Sequence, residues 1–68
     1  MKWEKQPSGS YIAIGEDATY HVWQNQRGTW VAKCDPQDGE RFIFGYYYRS
    51  ADEAKAVCEA DAKEVTQP

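Results

Sequence analysis

Three groups of side chains in this sequence have the chemistry to act. The first is a single histidine, His21, together with the chain's two cysteines, Cys34 and Cys58. A thiol becomes a nucleophile only when a neighbouring base or a positive field lowers its pKa. Cys58 falls on the apolar stripe of a helix described below, where burial raises the pKa, and His21 reads as a half-exposed strand residue. No catalytic residue is assigned, and the chain is read as a non-enzyme. The second group is Asp35, Asp38 and Glu40 around Gly39. Their spacing departs from the ligand pattern of an EF-hand, so a solvated turn accounts for them better than calcium does. Two widely separated cysteines without a His cluster make neither a zinc site nor a disulfide framework. A Gly-rich phosphate loop is also lacking. No metal and no cofactor is expected, and both thiols should be reduced and mostly buried.

The third group is aromatic. Three Trp, five Tyr and two Phe make up 15% of a chain of 68 residues. Ordering such a chain costs on the order of 100 kcal/mol, which apolar burial can only about match, so wide rings must supply area that length cannot. If Tyr20, Trp30 and Phe42 or Phe44 are needed inside, then Trp23, Trp3 and some of Tyr46, Tyr47 and Tyr48 are left over. One helix covers only one face of a sheet. The remaining rings, with Arg27, Lys33, Arg41 and Arg49 nearby, either stiffen a small sheet or bind something. The candidate binding residues are Trp23, Arg27, Lys33, Arg41 and Tyr47.

The elements that must position these groups follow from local pattern. The predicted fold class is α+β: an antiparallel meander of three to four strands with one C-terminal helix packed across one face, in a single domain over 1–68. Within it 1–10 is an arm, 11–48 the sheet, 50–65 the helix and 66–68 a tail. Pro7, Ser8, Gly9 and Ser10 break the chain, leaving Trp3 on an arm that is either an edge strand or a flexible anchor. Tyr11 to Ile14 is β-prone and ends at Gly15. Thr19 to Gln24 alternates, with Tyr20 and Val22 on one face and His21 and Trp23 on the other. After the turn at Asn25 to Gly28, Trp30, Ala32 and Cys34 share the core-facing side of Thr29 to Cys34, opposite Thr29, Val31 and Lys33. Asp35 to Gly39 is a strong turn, and a last strand begins at Glu40. Both faces of Arg41 to Tyr48 are apolar, so its inner face stays open. Gly45 marks a bulge or a close backbone approach in that run.

Ser50 followed by Glu53 spells a capping box, in which the carboxylate returns to the amide of Ser50 itself. Ala54, Val57, Cys58, Ala62 and Val65 form the helix's apolar stripe, while Lys55 with Glu59 and Glu59 with Lys63 make exposed pairs four apart.

The net charge is -3, which argues against a chain held to phosphate by its overall charge. The charge is segregated: -1 over 1–18, +1 over 19–49 and -3 over 50–68. A nearly neutral sheet is thus set against an acidic helix. Met1 to Lys5 carry no apolar signal core, and no stretch is long enough to span a membrane, so a soluble, cytoplasmic protein without a membrane partner is expected. The expected partner is a protein met through the exposed aromatic sheet face. The alternative is duplex DNA on the same face, and the oligomeric state stays open.

A Tyr-x-Val strand (Tyr20, Val22), a Gly-x-Trp hairpin strand (Gly28, Trp30), a turn with Gly39 and a helix opening Ser50-Ala51-Asp52-Glu53-Ala54-Lys55 follow one another in that order. Over residues 11–65 this resembles many small phage, prophage and bacterial accessory proteins. It also resembles the amino-terminal arm-binding domain of tyrosine-type phage integrases, a three-stranded sheet backed by a helix that lays its open face in the DNA major groove. That resemblance implies DNA-reading positions at Gln24, Arg27, Thr29, Lys33, Arg41 and Ile43 or Tyr47. Taken with the charge, the chain is read as an interaction module, an accessory protein of phage or mobile-element type.

Overall fold

The computed structural model describes residues 1–66, with side chains through Ala62. The β-prone runs separated by Gly-containing turns form strands that pair in sequence order. They are β1 (Glu4–Lys5), β2 (Tyr11–Ile14), β3 (Ala18–Gln24), β4 (Trp30–Pro36) and β5 (Phe42–Tyr48), followed by the helix α1 (Ala51–Thr66). The result is an α+β fold, a five-stranded antiparallel meander in the spatial order β1-β2-β3-β4-β5. It has one strand more than the upper expectation, because Glu4 and Lys5 of the arm pair with Ile12 and Tyr11. The last two strands also shift. β4 runs on through Asp35 and Pro36, which pair with Thr19 and Ala18, and β5 starts at Phe42 instead of Glu40.

The β3–β4 hairpin shows how local chemistry fixes register. The side-chain oxygen of Asn25 accepts from the amides of Arg27 and Thr29, at 2.9 and 3.1 Å. Gly28 closes the turn at φ 90°, in the left-handed region where a Cβ is penalised. From there Gln24 opposes Trp30, Val22 opposes Ala32 and Tyr20 opposes Cys34.

The core lies between this face and α1. It is built of Ala13, Tyr20, Val22, Ala32, Cys34, Ala54 and Cys58, with Trp3, Tyr11, Trp30, Phe44, Tyr48 and Ala62 packed around it. Both cysteines are free and buried there. Tyr20, 3% exposed, satisfies its hydroxyl by donating to Asp61 of the helix at 3.0 Å. Trp3 is neither loose nor left over: its indole N–H donates to Glu59 at 3.0 Å. Lys55 lies over the rings of Tyr11, 3.6 Å from the centroid, and Trp3, at 5.9 Å. Lys55 and Glu59 therefore tie the helix to the sheet.

Ser50 caps the helix as its sequence predicts, its hydroxyl accepting from the amide of Glu53 at 3.1 Å. The Glu53 carboxylate, however, accepts from the amide of Arg49 at 3.4 Å, one residue before the cap. The helix takes in Thr66, one residue beyond the expected 50–65 and the first of the expected tail, while the readings that involve the side chains of Lys63 and Val65 and the tail at 67–68 lie outside the residues and side chains described.

β5 is the irregular strand. Cys34 opposes Phe42, Lys33 opposes Ile43, Ala32 opposes Gly45 and Trp30 opposes Tyr48, so the register slips once at Phe44 and again at Tyr46 and Tyr47. Phe44 and Tyr48 consequently pack on the helix side, and alternation from Tyr48 sets Tyr47 on the uncovered face. Gly45 is both bulge and close approach. A Cβ built there would come within 2.9 Å of the Tyr48 hydroxyl oxygen.

Candidate functional site

The uncovered face of the sheet is the candidate site, and its residues follow from the pairing. Ala13 is buried under the helix, so Ile12 and Ile14 of β2 point the other way. In β3 the uncovered residues are Thr19, His21 and Trp23, and in β4 they are Val31, Lys33 and Asp35. Across the strands these make rows: Trp23 beside Val31 and the Tyr46–Tyr47 bulge, and Ile12 beside His21, Lys33 and Ile43. Val31 is 2% exposed although no helix covers it. Its cross-strand partner on that face is Trp23. The rings of Tyr46 and Tyr47 are 6.4 Å apart.

At one end of this face the β1–β2 turn curls over β3 and forms a cleft of about 480 Å³, lined by Ser8, Ser10, His21, Trp23 and Trp30 among others. Burial, reinforced by the Lys33 ammonium and opposed by Asp35, lowers the pKa of His21 below its ordinary value. The imidazole is thus neutral at physiological pH. The lining of the cleft carries no charge.

His21 and the thiols lie on opposite sides of the sheet, which separates the one general base from both sulfurs. Burial, with smaller contributions from neighbouring acidic groups, raises the pKa of Cys34 and pushes that of Cys58 up to about 12. Among the described residues no three His, Cys, Asp or Glu side chains are grouped to hold a metal ion.

The structure brings Trp23, Lys33 and Tyr47 onto the uncovered face but separates the two arginines proposed with them. Arg27 sits in the β3–β4 turn, and Arg41 lies in the loop at the far end of β4. Seven extended residues separate the two ends by about 20 Å. Asp35 shares the face with Lys33 and offsets its charge. Two further positions implied for DNA reading have their polar groups engaged within the protein. The Gln24 amide donates to the carbonyl of Gly28 at 3.0 Å, and the Thr29 hydroxyl donates to the carbonyl of Tyr46 at 2.8 Å. Ile43 lies on the uncovered face.

Ile12 and Ile14 are part of this surface and were not singled out from sequence. The signal was the small Ala13 between them, which fits beneath a closely packed helix. It was hidden because every residue of Tyr11 to Ile14 is apolar or aromatic. No family model, no curated protein and no solved structure matches this chain. Among the described residues no helix is long and apolar enough to cross a membrane.

Proposed function

We propose that this chain is a non-enzymatic interaction module that binds a protein partner across its uncovered sheet face, as a cytoplasmic accessory protein of phage or mobile-element type. The observation that carries the reading is the apolar surface left on that face. Ile14 is 78% exposed, Tyr47 73% and Ile43 38%; Tyr47 belongs to the row of Trp23, which lines the cleft, Ile43 to the row of His21 and Lys33, and Ile14 lies beside Thr19 at the opposite end of β3. So small a chain exposing a face of this kind resembles an interface before its partner arrives. A protein partner is favoured over duplex DNA because the basic side chains are dispersed and Asp35 lies among them. The biological setting is taken from the resemblance of the strand order and helix opening to phage accessory proteins. Two buried free thiols suit a reducing compartment.

A photo-crosslinking residue placed at Tyr47, with one at exposed Ala60 on the helix as control, tests the reading in cells. A protein captured only from position 47 should bind the purified chain. Trp23→Ala should then weaken that binding by about 2 kcal/mol or more, as expected of a desolvated aromatic anchor. Random-sequence duplex DNA bound at moderate salt, with binding lost on removing Lys33 and Arg41, would refute the protein reading in favour of DNA.

A further inference from the structure

The two edges of the sheet are unlike. On one side stands β1, two residues long and both charged, the blunted kind of edge that resists pairing. On the other stands β5, seven residues (Phe42–Tyr48) with no charged residue and no proline. Among the described residues no strand pairs with its outer side. Among the described side chains, four of the six exposed large hydrophobic residues belong to β5: Phe42, Ile43, Tyr46 and Tyr47.

We propose that the outer edge of β5 takes up an extended segment of a partner protein as an added strand, and that this segment carries acidic residues at its ends. The proposal rests on the reading above that the partner is a protein, and it names the contact. An open row of backbone donors and acceptors is matched only by another extended chain, and strand addition is an established route to peptide recognition. Side chains of the added strand would alternate between Tyr47 and Ile43 on the uncovered face and the rings on the helix side.

Charge selects the occupant. Arg41 and Arg49 stand just outside the two ends of β5, and both are exposed. A second copy paired antiparallel about Gly45 would set Arg41 of each copy opposite Arg49 of the other, and directly opposed like charges destabilise a ladder. Acidic flanking residues from another protein make the same cross-strand positions favourable. The two register slips in β5 twist this edge away from flatness. They fit one short strand better than open-ended stacking.

Short random peptides displayed on phage and selected against the full chain provide the probe. The expected ligands have alternating apolar residues and acidic ends. Methylating their backbone nitrogens at one set of alternate positions should weaken binding on the order of tenfold or more per lost hydrogen bond, while the other set is tolerated. Selection against the Arg41→Glu, Arg49→Glu double variant should yield basic ends instead. Equal tolerance of both methylation sets, or no enrichment at all, overturns strand addition. A peptide-free chain that sediments as a dimer and becomes monomeric on Tyr47→Lys also overturns it, because the occupant is then a second copy. Trp23→Ala separates the two readings. Peptide binding lost with that change but indifferent to methylation leaves the sheet-face reading standing and sinks the edge; binding that keeps its methylation pattern and ignores Trp23→Ala does the reverse.

Discussion

Replacing Gly45 with alanine isolates the contact that organises β5. The backbone itself does not forbid the change, since positive φ is confined to Gly9, Gly28 and Gly39. Reducing the freedom of the unfolded chain should therefore contribute about 0.5–1 kcal/mol in favour of alanine. The obstacle is the ring of Tyr48. The new Cβ would lie 2.9 Å from its hydroxyl oxygen and 3.1 and 3.2 Å from two ring carbons. All three distances are too short, so the ring must swing away from the core it packs against. Crowding of this kind costs about 1–3 kcal/mol. The balance is a loss of roughly 0.5–2 kcal/mol, and at about 4–8 °C per kcal/mol for a domain of this size the melting temperature should fall by several degrees. In a Tyr48→Ala background the obstacle is gone, and Gly45→Ala should become neutral or stabilising. Urea denaturation followed by tryptophan fluorescence, across both single variants and the double variant, measures the coupling. An equal loss in both backgrounds would refute the reasoning and place the penalty in the bulged backbone.

Two further outcomes follow from the helix cap and from His21. Ser50→Ala should lower stability by about 1 kcal/mol, read from the urea midpoint at unchanged slope, because the amide of Glu53 loses its acceptor. Stability should also fall as pH is lowered through the ordinary histidine range: with the folded pKa of His21 depressed, chiefly by burial, the unfolded chain binds more protons there. Chemical denaturation at pH 7.5 and pH 5 should show this fall for the wild type, and His21→Gln should lessen it.

The helix was legible because its determinants are local: a cap, a first turn with two acids and a stripe at helical spacing. The same holds for β3 and β4, whose alternation separates Tyr20, Val22, Ala32 and Cys34 from His21, Trp23, Val31 and Lys33. β1 was not legible. Two charged residues have no strand pattern of their own, and they pair because Trp3 beside them is held by Glu59, which is 56 residues away. Nor could the inner face of β5 be read. Both faces are apolar, and two slips set by the fit of Phe44 and Tyr48 against the core redirect the side chains. Of the site residues, Trp23 and Lys33 were placed by period alone. The separation of Arg27 from Arg41 follows from the turns on either side of β4, and the extension of that strand through Pro36 only widens it.

Small residues line the meeting of helix and sheet: Ala13, Ala32 and Cys34 from the strands, Ala54 and Cys58 from the helix. They allow a close approach, and they leave space at the centre for few rings besides Tyr20. The remaining aromatics are pushed to the margins or onto the other face, which no second layer covers among the described residues. Two explanations then compete for that face: its rings stiffen the sheet, or they wait for a partner. Stability measurements separate them. Ile14 and Tyr47, at 78% and 73% exposure, surrender little area on folding, so Ile14→Thr and Tyr47→Ser should each change stability by no more than about 0.5 kcal/mol. Ala32→Val, at 0% exposure under the helix, should cost about 1–3 kcal/mol by overpacking. A loss above about 1 kcal/mol from either exposed variant would mean that the ring or the isoleucine serves the fold. The small losses expected here would leave these side chains without a structural role, as the proposed binding surface requires.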